Sequence, residues 1–146
     1  MRAHRPGVKG ECHIAVGQLD AAEWVFAGPG SPTYALGVWG ELGLQKQLAG
    51  VLERGTLVLA SAAAVTAGAF AVPVYEIYKV GQRPKWWQGL NLVEAALGLR
   101  AAVIPHFNNA EGGSHDTRYC YLGESRLRLL EAGLPHDAFV LGVDEH

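Results

Sequence analysis

The residue with the clearest potential for chemistry is Ser61, which stands between a short apolar run and a stretch of small residues. Residues 57–60 have the composition of a buried strand, and residues 62–69 are small enough to start a helix that packs back onto it. A serine at such a tight strand-to-helix turn projects its hydroxyl from the edge of the sheet. The backbone N–H of the next residue, Ala62, can then help to stabilise an oxyanion. The segment predicts a nucleophile.

Two other interpretations apply to the same stretch. In this sequence Leu59 and Ala63 replace the two glycines of the usual G-x-S-x-G signature. An ordinary buried serine is therefore one alternative. The other is a membrane span, because no charged residue occurs between Arg54 and Glu76, roughly the length that a bilayer crossing needs. We reject the span, because alanine, glycine, serine and threonine dominate the gap and Pro73 ends it.

Other polar or glycine-rich positions also follow predicted strands. They are Gly28 and Gly30 after residues 24–27, His106 after residues 99–105, and Glu145 after residues 138–143. In a parallel sheet with interleaved helices, ligands bind at the carboxyl ends of the strands. We therefore expect these positions to share one edge of the sheet with Ser61.

The pattern of the remaining segments predicts a single α/β domain with a three-layer, mainly parallel, flavodoxin-like sheet and helices on both faces. Residues 1–22 have no clear periodicity and are interpreted as an irregular lead-in, and residues 23–146 as the domain. Residues 33–54 predict one amphipathic helix or two shorter ones broken near Gly40 and Gly43, with Ser31 or Thr33 as a cap. Further helices are expected over residues 92–97 and 121–132, and a strand over residues 74–80.

Composition limits the function classes. With 146 residues, 49% of them hydrophobic, the chain is long enough for one core. A net charge of −2 with scattered basic residues argues against nucleic-acid binding. Cys12 and Cys120 are too few for a disulfide framework, and the polar amino terminus is not a secretory signal. These features predict a cytoplasmic protein with reduced thiols.

Five segments together resemble the peptidase E group of serine hydrolases, within the class I glutamine amidotransferase-like fold. Residues 28–32 resemble the G-G-G-N-T turn of that group, residues 60–64 its W-S-A-G-A elbow, and residues 105–107 its P-H-F segment. Residues 116–118 are similar to its E-T-R segment and residues 142–145 to its closing G-x-x-E. The likeness covers about residues 24–146, and a narrower bacterial subgroup shares the runs at 73–79 and 105–113.

The resemblance implies roles for individual residues. Ser61 matches the nucleophile, His106 the general base and Glu145 the acid that orients the base. Arg118 matches the arginine that binds an acidic group of the substrate, and Gly28 and Asn108 belong to substrate-binding segments. Gly30 and Ala62 match the oxyanion hole, next to a Pro29 that has no N–H to donate. No cofactor is implied.

A metal site is a further alternative, because Glu111, His115, Asp116 and Cys120 lie close together in sequence. Their spacing fits no compact zinc pattern, so we expect no metal. Cys120 as a nucleophile beside His115 is disfavoured, since Tyr119 and Tyr121 indicate that it enters packed structure.

Two functions from different classes remain. One is a serine hydrolase that cleaves a small peptide or amide, and the other is a catalytically inactive domain that binds a small ligand or serves in assembly. The resembling family has an additional strand and helix ahead of its glycine turn, so a truncated member is expected here. The sheet edge that this leaves near residues 24–27 predicts a homodimer, without nucleic-acid or membrane partners.

Overall fold

The structure of the protein, a computed structural model, describes residues 16–109 and 113–144. Its strands are β1 (Trp24–Ala27), β2 (Thr56–Leu59), β3 (Phe70–Ala71), β4 (Trp87–Gln88), β5 (Ala101–Pro105) and β6 (Phe139–Val143). Its helices are α1 (Pro32–Glu41), α2 (Leu44–Arg54), α3 (Ala62–Thr66), α4 (Val74–Tyr78), α5 (Leu92–Leu97) and α6 (Glu124–Glu131). Strands and helices alternate, which confirms the predicted α/β class.

The strands form two hydrogen-bonded groups, and most of their pairings are parallel. β1 pairs with β2 in parallel, and β5 pairs in parallel with both β3 and β6. β4 adds an antiparallel edge to β3, which gives the order β4-β3-β5-β6. Ser61 follows β2 and His106 follows β5, so the two candidates come from strands in different hydrogen-bonded groups.

Helices pack on both sides of the central strand β5. Ile104 belongs to a buried cluster with Val74 and Ile77 of α4 and Leu127 of α6. Its neighbour Val103 points the other way, because side chains alternate along a strand, and packs with α2 and α5. The two clusters are the two sides of a layered core, as the sequence predicted.

The break between α1 and α2 has a clear local cause. Ser31 caps α1, its hydroxyl accepting a hydrogen bond from the Tyr34 N–H, and Pro32 occupies the first turn. Gly43 lies between the helices with a φ of 65°, a left-handed conformation that glycine adopts without a steric penalty. The predicted division of residues 33–54 near Gly40 and Gly43 is therefore confirmed.

The expected strand over residues 74–80 is wrong, since Val74–Tyr78 is the helix α4. Val74 and Ile77 are buried while Tyr75 and Glu76 between them are only partly so, which is a helical spacing of three rather than an alternation. Pro73 stands at the amino terminus of the helix, where its missing N–H costs nothing.

The beginning of the chain differs from the expectation in one part. Residues 16–19 are helical, and Val16 and Leu19 pack against the cluster that contains Val103, whereas an irregular segment was expected. The rest of the predicted lead-in, residues 1–15, lies outside the described residues. Among the helices that the structure describes, none is long and apolar enough to cross a membrane.

Candidate active site

Ser61 occupies a strained turn between β2 and α3. Its φ of 52° and ψ of −112° lie outside the regions that ordinary residues prefer. Such a conformation costs about 1–3 kcal/mol, and it is the feature that lifts the hydroxyl of a nucleophile elbow out of the sheet. The turn is held by hydrogen bonds from the Ala60 N–H to the Ala27 carbonyl and from the Val65 N–H to the Ser61 carbonyl.

His106 follows the last residue of β5 and also has a positive φ, of 52°. The next residue, Phe107, fixes the loop to β6: its N–H donates to the Val143 carbonyl, and its ring lies on Gly142. A Cβ at Gly142 would come within 2.6 Å of that ring, so a side chain there would displace the loop. Two packed strands therefore determine the position of His106.

The Ser61 hydroxyl and the His106 imidazole meet directly. Ser61 Oγ lies 2.9 Å from His106 Nε2, and both side chains are half-buried. This distance is within reach for proton transfer from the hydroxyl to an unprotonated Nε2. The arrangement can therefore activate a serine for attack on a carbonyl carbon.

A small pocket of about 110 Å³ opens beside Ser61 and Ala62. The other lining residues come from the turn after β1, from the start of α4 and from the segment before α6. They are Pro29, Gly30, Pro32, Val74, Tyr75, Cys120 and Tyr121. Gly30 and Ala62, the two residues expected at the oxyanion hole, thus lie in one pocket with the serine.

The wall formed by Cys120 and Tyr121 has an unusual backbone. Tyr119, Cys120 and Tyr121 have φ values of 56°, 56° and 65°, three consecutive residues in the left-handed region. Each such residue is disfavoured by about 1–2 kcal/mol, because Cβ crowds the following carbonyl. The run turns the Tyr121 ring towards His106, with 6.3 Å between ring centroids in an edge-to-face arrangement.

A polar bridge joins the start of α1 to α4. The Thr33 hydroxyl donates to Glu76 Oε1 at 2.8 Å and lies 2.9 Å from the Ser31 hydroxyl. This bridge ties the two segments that carry Gly30 and Tyr75, so it helps to define the width of the pocket.

Arg118 is not among the residues that line the pocket of Ser61. Its guanidinium is paired with Asp116, with 2.7 Å between Nη2 and Oδ2, and the same ion pair lowers the pKa of Asp116 to about 2. Arg118 and Asn108 line a separate, wider pocket together with Ser114 and His115. The structure thus groups Arg118 with Asn108 and not with the serine.

The carboxylate nearest in sequence to the expected acid is Asp144. Its Oδ2 accepts a hydrogen bond of 3.0 Å from the Asn108 N–H, which closes the loop that carries His106. The sequence analysis missed this role and that of Tyr121, although Asp144 stands directly after a predicted strand. Glu145, the acid that the resemblance implies, lies outside the described residues.

The alternative metal cluster has no support among the residues that the structure describes. In that part of the chain, no group of three or more His, Cys, Asp or Glu side chains could hold a metal ion. Cys120 is buried, and burial raises the pKa of its thiol to about 12. A neutral thiol is a poor metal ligand and a poor nucleophile. Glu111, the fourth member considered, falls in the gap between the described ranges.

Comparison with known proteins gives a likeness to a solved structure. No family model and no curated protein matches the chain. A crystal structure of a peptidase from an acI-B1 Actinobacterium is similar, with a TM-score of 0.61 and 21% sequence identity. The alignment covers 89% of this chain and 46% of that one, so the chain spans about half the length of that peptidase. The α/β fold of this chain is therefore similar to that of a peptidase.

Proposed function

We propose that the protein is a serine hydrolase of the peptidase E type that cleaves a small peptide or amide. The observation that carries the proposal is the 2.9 Å distance between Ser61 Oγ and His106 Nε2 at a strained strand-to-helix turn. A buried serine without a catalytic role needs neither the strained φ nor a histidine partner.

In the proposed reaction Ser61 Oγ attacks the carbonyl carbon of the substrate while His106 Nε2 takes the hydroxyl proton. The same nitrogen then gives that proton to the leaving amine, and water releases the acyl group from the serine. The N–H groups of Ala62 and Gly30 are the proposed donors to the oxyanion. Glu145 is the proposed acid that orients His106, by the resemblance of residues 142–145.

The resemblance also suggests that Arg118 and Gly28 contribute to substrate binding. Because Asp116 already occupies the guanidinium of Arg118, an acidic group of the substrate would have to compete with that carboxylate or share the arginine with it. Such a group would bind in the pocket shared with Asn108, separate from the pocket of Ser61.

A non-catalytic domain that binds a small ligand is the second candidate, and Pro29 is the observation that favours it. Proline has no N–H, so if position 29 rather than Gly30 supplies the second oxyanion donor of this turn, that donor is absent. Loss of one such donor costs about 3 kcal/mol in the barrier, which would slow an enzyme but leave the pocket intact.

Labelling with a fluorophosphonate probe separates the two candidates. We expect a single covalent adduct on Ser61, located by mass spectrometry of the digested protein. Ser61→Ala should abolish the adduct, while Ser125→Ala, which removes a hydroxyl from the exposed side of α6, should leave it unchanged. An unlabelled but folded protein, or an adduct that persists in Ser61→Ala, would contradict the proposed function.

A further inference from the structure

We infer that the pocket beside Ser61 binds a small, uncharged side chain of the substrate, and that Tyr75 and Tyr121 determine this specificity. The inference rests on the proposed function, in which the substrate carbonyl lies against Ser61. It adds a substrate class that neither the resemblance nor the comparisons supply.

The chemistry of the walls excludes a charged group. Among the described residues that line the pocket none is ionised, because Cys120 is kept neutral by burial and the others are proline, glycine, alanine, valine, serine and tyrosine. A carboxylate placed here would lose water without gaining a cationic partner, which is costly. Lys79 lies over the Tyr75 ring, 4.4 Å from its centroid, but does not line the pocket.

The size of the pocket sets a limit on its occupant. A volume of about 110 Å³ is well below the roughly 300–1,000 Å³ of pockets that hold drug-sized ligands, so it suits one small side chain. The side chain of leucine has four carbon atoms and that of phenylalanine has seven, so phenylalanine tests the upper limit of size. The side chains of aspartate and asparagine are close to that of leucine in size, and only aspartate is charged. Comparing the three therefore distinguishes the effect of charge from the effect of size.

The left-handed run of residues 119–121 indicates that the pocket is preformed. Strain of this kind persists only where the surrounding structure fixes it, and it is concentrated at functional sites. Here the run is fixed by the Phe107 ring, 5.1 Å from that of Tyr119, and by Tyr78, 5.6 Å from the Tyr121 ring. Tyr121 therefore forms part of the pocket wall and also contacts the ring of His106.

The inference can be tested without catalysis, by ligand binding to the Ser61→Ala protein. N-acetyl amides of leucine, asparagine, aspartic acid and phenylalanine are titrated at neutral pH, and amide NMR signals report the site. We expect the leucine compound to shift the signals of Ala62 and Tyr121 and the aspartate compound to bind at least about tenfold more weakly. The asparagine compound should bind more tightly than the aspartate compound, and the phenylalanine compound more weakly than the leucine compound.

Two variants sharpen the result. Tyr75→Ala should enlarge the pocket and raise the affinity of the phenylalanine compound relative to the leucine compound. Tyr34→Ala, the matched control at an exposed tyrosine of α1 that does not line the pocket, should leave the order of affinities unchanged. The titration of the Ser61→Ala protein without further substitution tests the inference even if Tyr75→Ala does not fold.

Several outcomes would overturn the inference: aspartate bound as tightly as leucine, shifts confined to Asn108 and Arg118, or no binding of the leucine compound at millimolar concentration. Its failure is distinguishable from that of the proposed function. Fluorophosphonate labelling of Ser61 with a preference for aspartate would refute only the neutral pocket. If Ser61 is not labelled but the four compounds bind in the expected order of affinity, only the proposed catalysis is refuted.

Discussion

Ser61 and His106 share an unusual property, because both have a φ of 52° although neither is glycine. His106 is the first residue after β5, and Ser61 is the second residue after β2. At both positions the backbone must turn sharply towards the next element. The strain at the two positions brings Oγ and Nε2 within 2.9 Å. At the scale of single residues, the site therefore depends on backbone conformation as much as on side-chain type.

The ion pair of Asp116 and Arg118 gives a prediction on pH. Hydrogen bonds from Arg118 lower the pKa of Asp116 from 3.8 to about 2, so the carboxylate stays ionised down to about that pH. The contribution of the pair to stability is fully present above pH 3.8 and is lost as the pH falls through about 2. We expect the carboxyl carbon signal of Asp116 to titrate near pH 2, and in Arg118→Gln near 3.8.

Both residues are exposed, so salt should weaken the effect and move the titration of Asp116 upwards. The same midpoint in the parent protein and in Arg118→Gln would show that the pair does not form in solution. In that case Arg118 would be free to bind an acidic group.

At the scale of elements, close approach of backbones explains why some glycines are required. A Cβ at Gly89 would overlap the carbonyl oxygen of Gly68, where the chain after β4 passes the end of α3. At Gly37, on the exposed side of α1, a Cβ would meet no atom within 4 Å. The two positions form a matched pair for substitution.

We expect Gly89→Ala to destabilise the protein by about 1–3 kcal/mol, because the backbone must move to relieve the overlap. Gly37→Ala should be neutral or raise the free energy of unfolding by about 0.5–1 kcal/mol, since alanine favours a helix interior. Urea unfolding followed by circular dichroism measures both. Equal stability of the two variants would contradict the close approach of the backbone at Gly89 to that at Gly68.

The sequence analysis identified most elements because their patterns are long or bounded by glycine and proline. It failed over Val74–Tyr78, since five residues match a strand and a helix almost equally well, and only the burial of Val74 and Ile77 decides. The strand Phe70–Ala71 was missed because a segment of two residues is too short to show any hydrophobic periodicity.

The geometry of the site was only partly accessible to such reasoning. Ser61 and His106 could be placed at strand ends, but β2 and β5 share no hydrogen bonds, so their contact depends on how the whole chain packs. Tyr121 belongs to no catalytic motif, and its place beside His106 results from the left-handed run of which it is the last residue.

At the scale of the whole molecule, the outer face of β1 and β2 carries unusually exposed aromatic side chains. Trp24 and Phe26 are 64% and 54% exposed and stack on one another, with Val58 of β2 on the same face. Within the described residues β1 pairs with β2 alone. Apolar surface of this kind is typical of an interface.

The homodimer remains a prediction, and this face is where we expect it to form. Phe26→Asp should convert the dimer to a monomer, because a carboxylate cannot be buried there without a partner. Leu129→Asp, at a residue of α6 that is 66% exposed, is the control and should stay dimeric. Light scattering at micromolar concentration gives the masses, and a monomeric parent protein would refute the prediction.

The central claim is that His106 activates Ser61, and the rate of fluorophosphonate labelling tests it most directly. Replacement of His106 by alanine removes the base 2.9 Å from Oγ, so the labelling rate of Ser61 should fall by about 10²–10⁴-fold. His136→Ala, at an exposed histidine before β6, should label at the parent rate. A His106→Ala protein that is folded and labels Ser61 as fast as the parent would contradict the account.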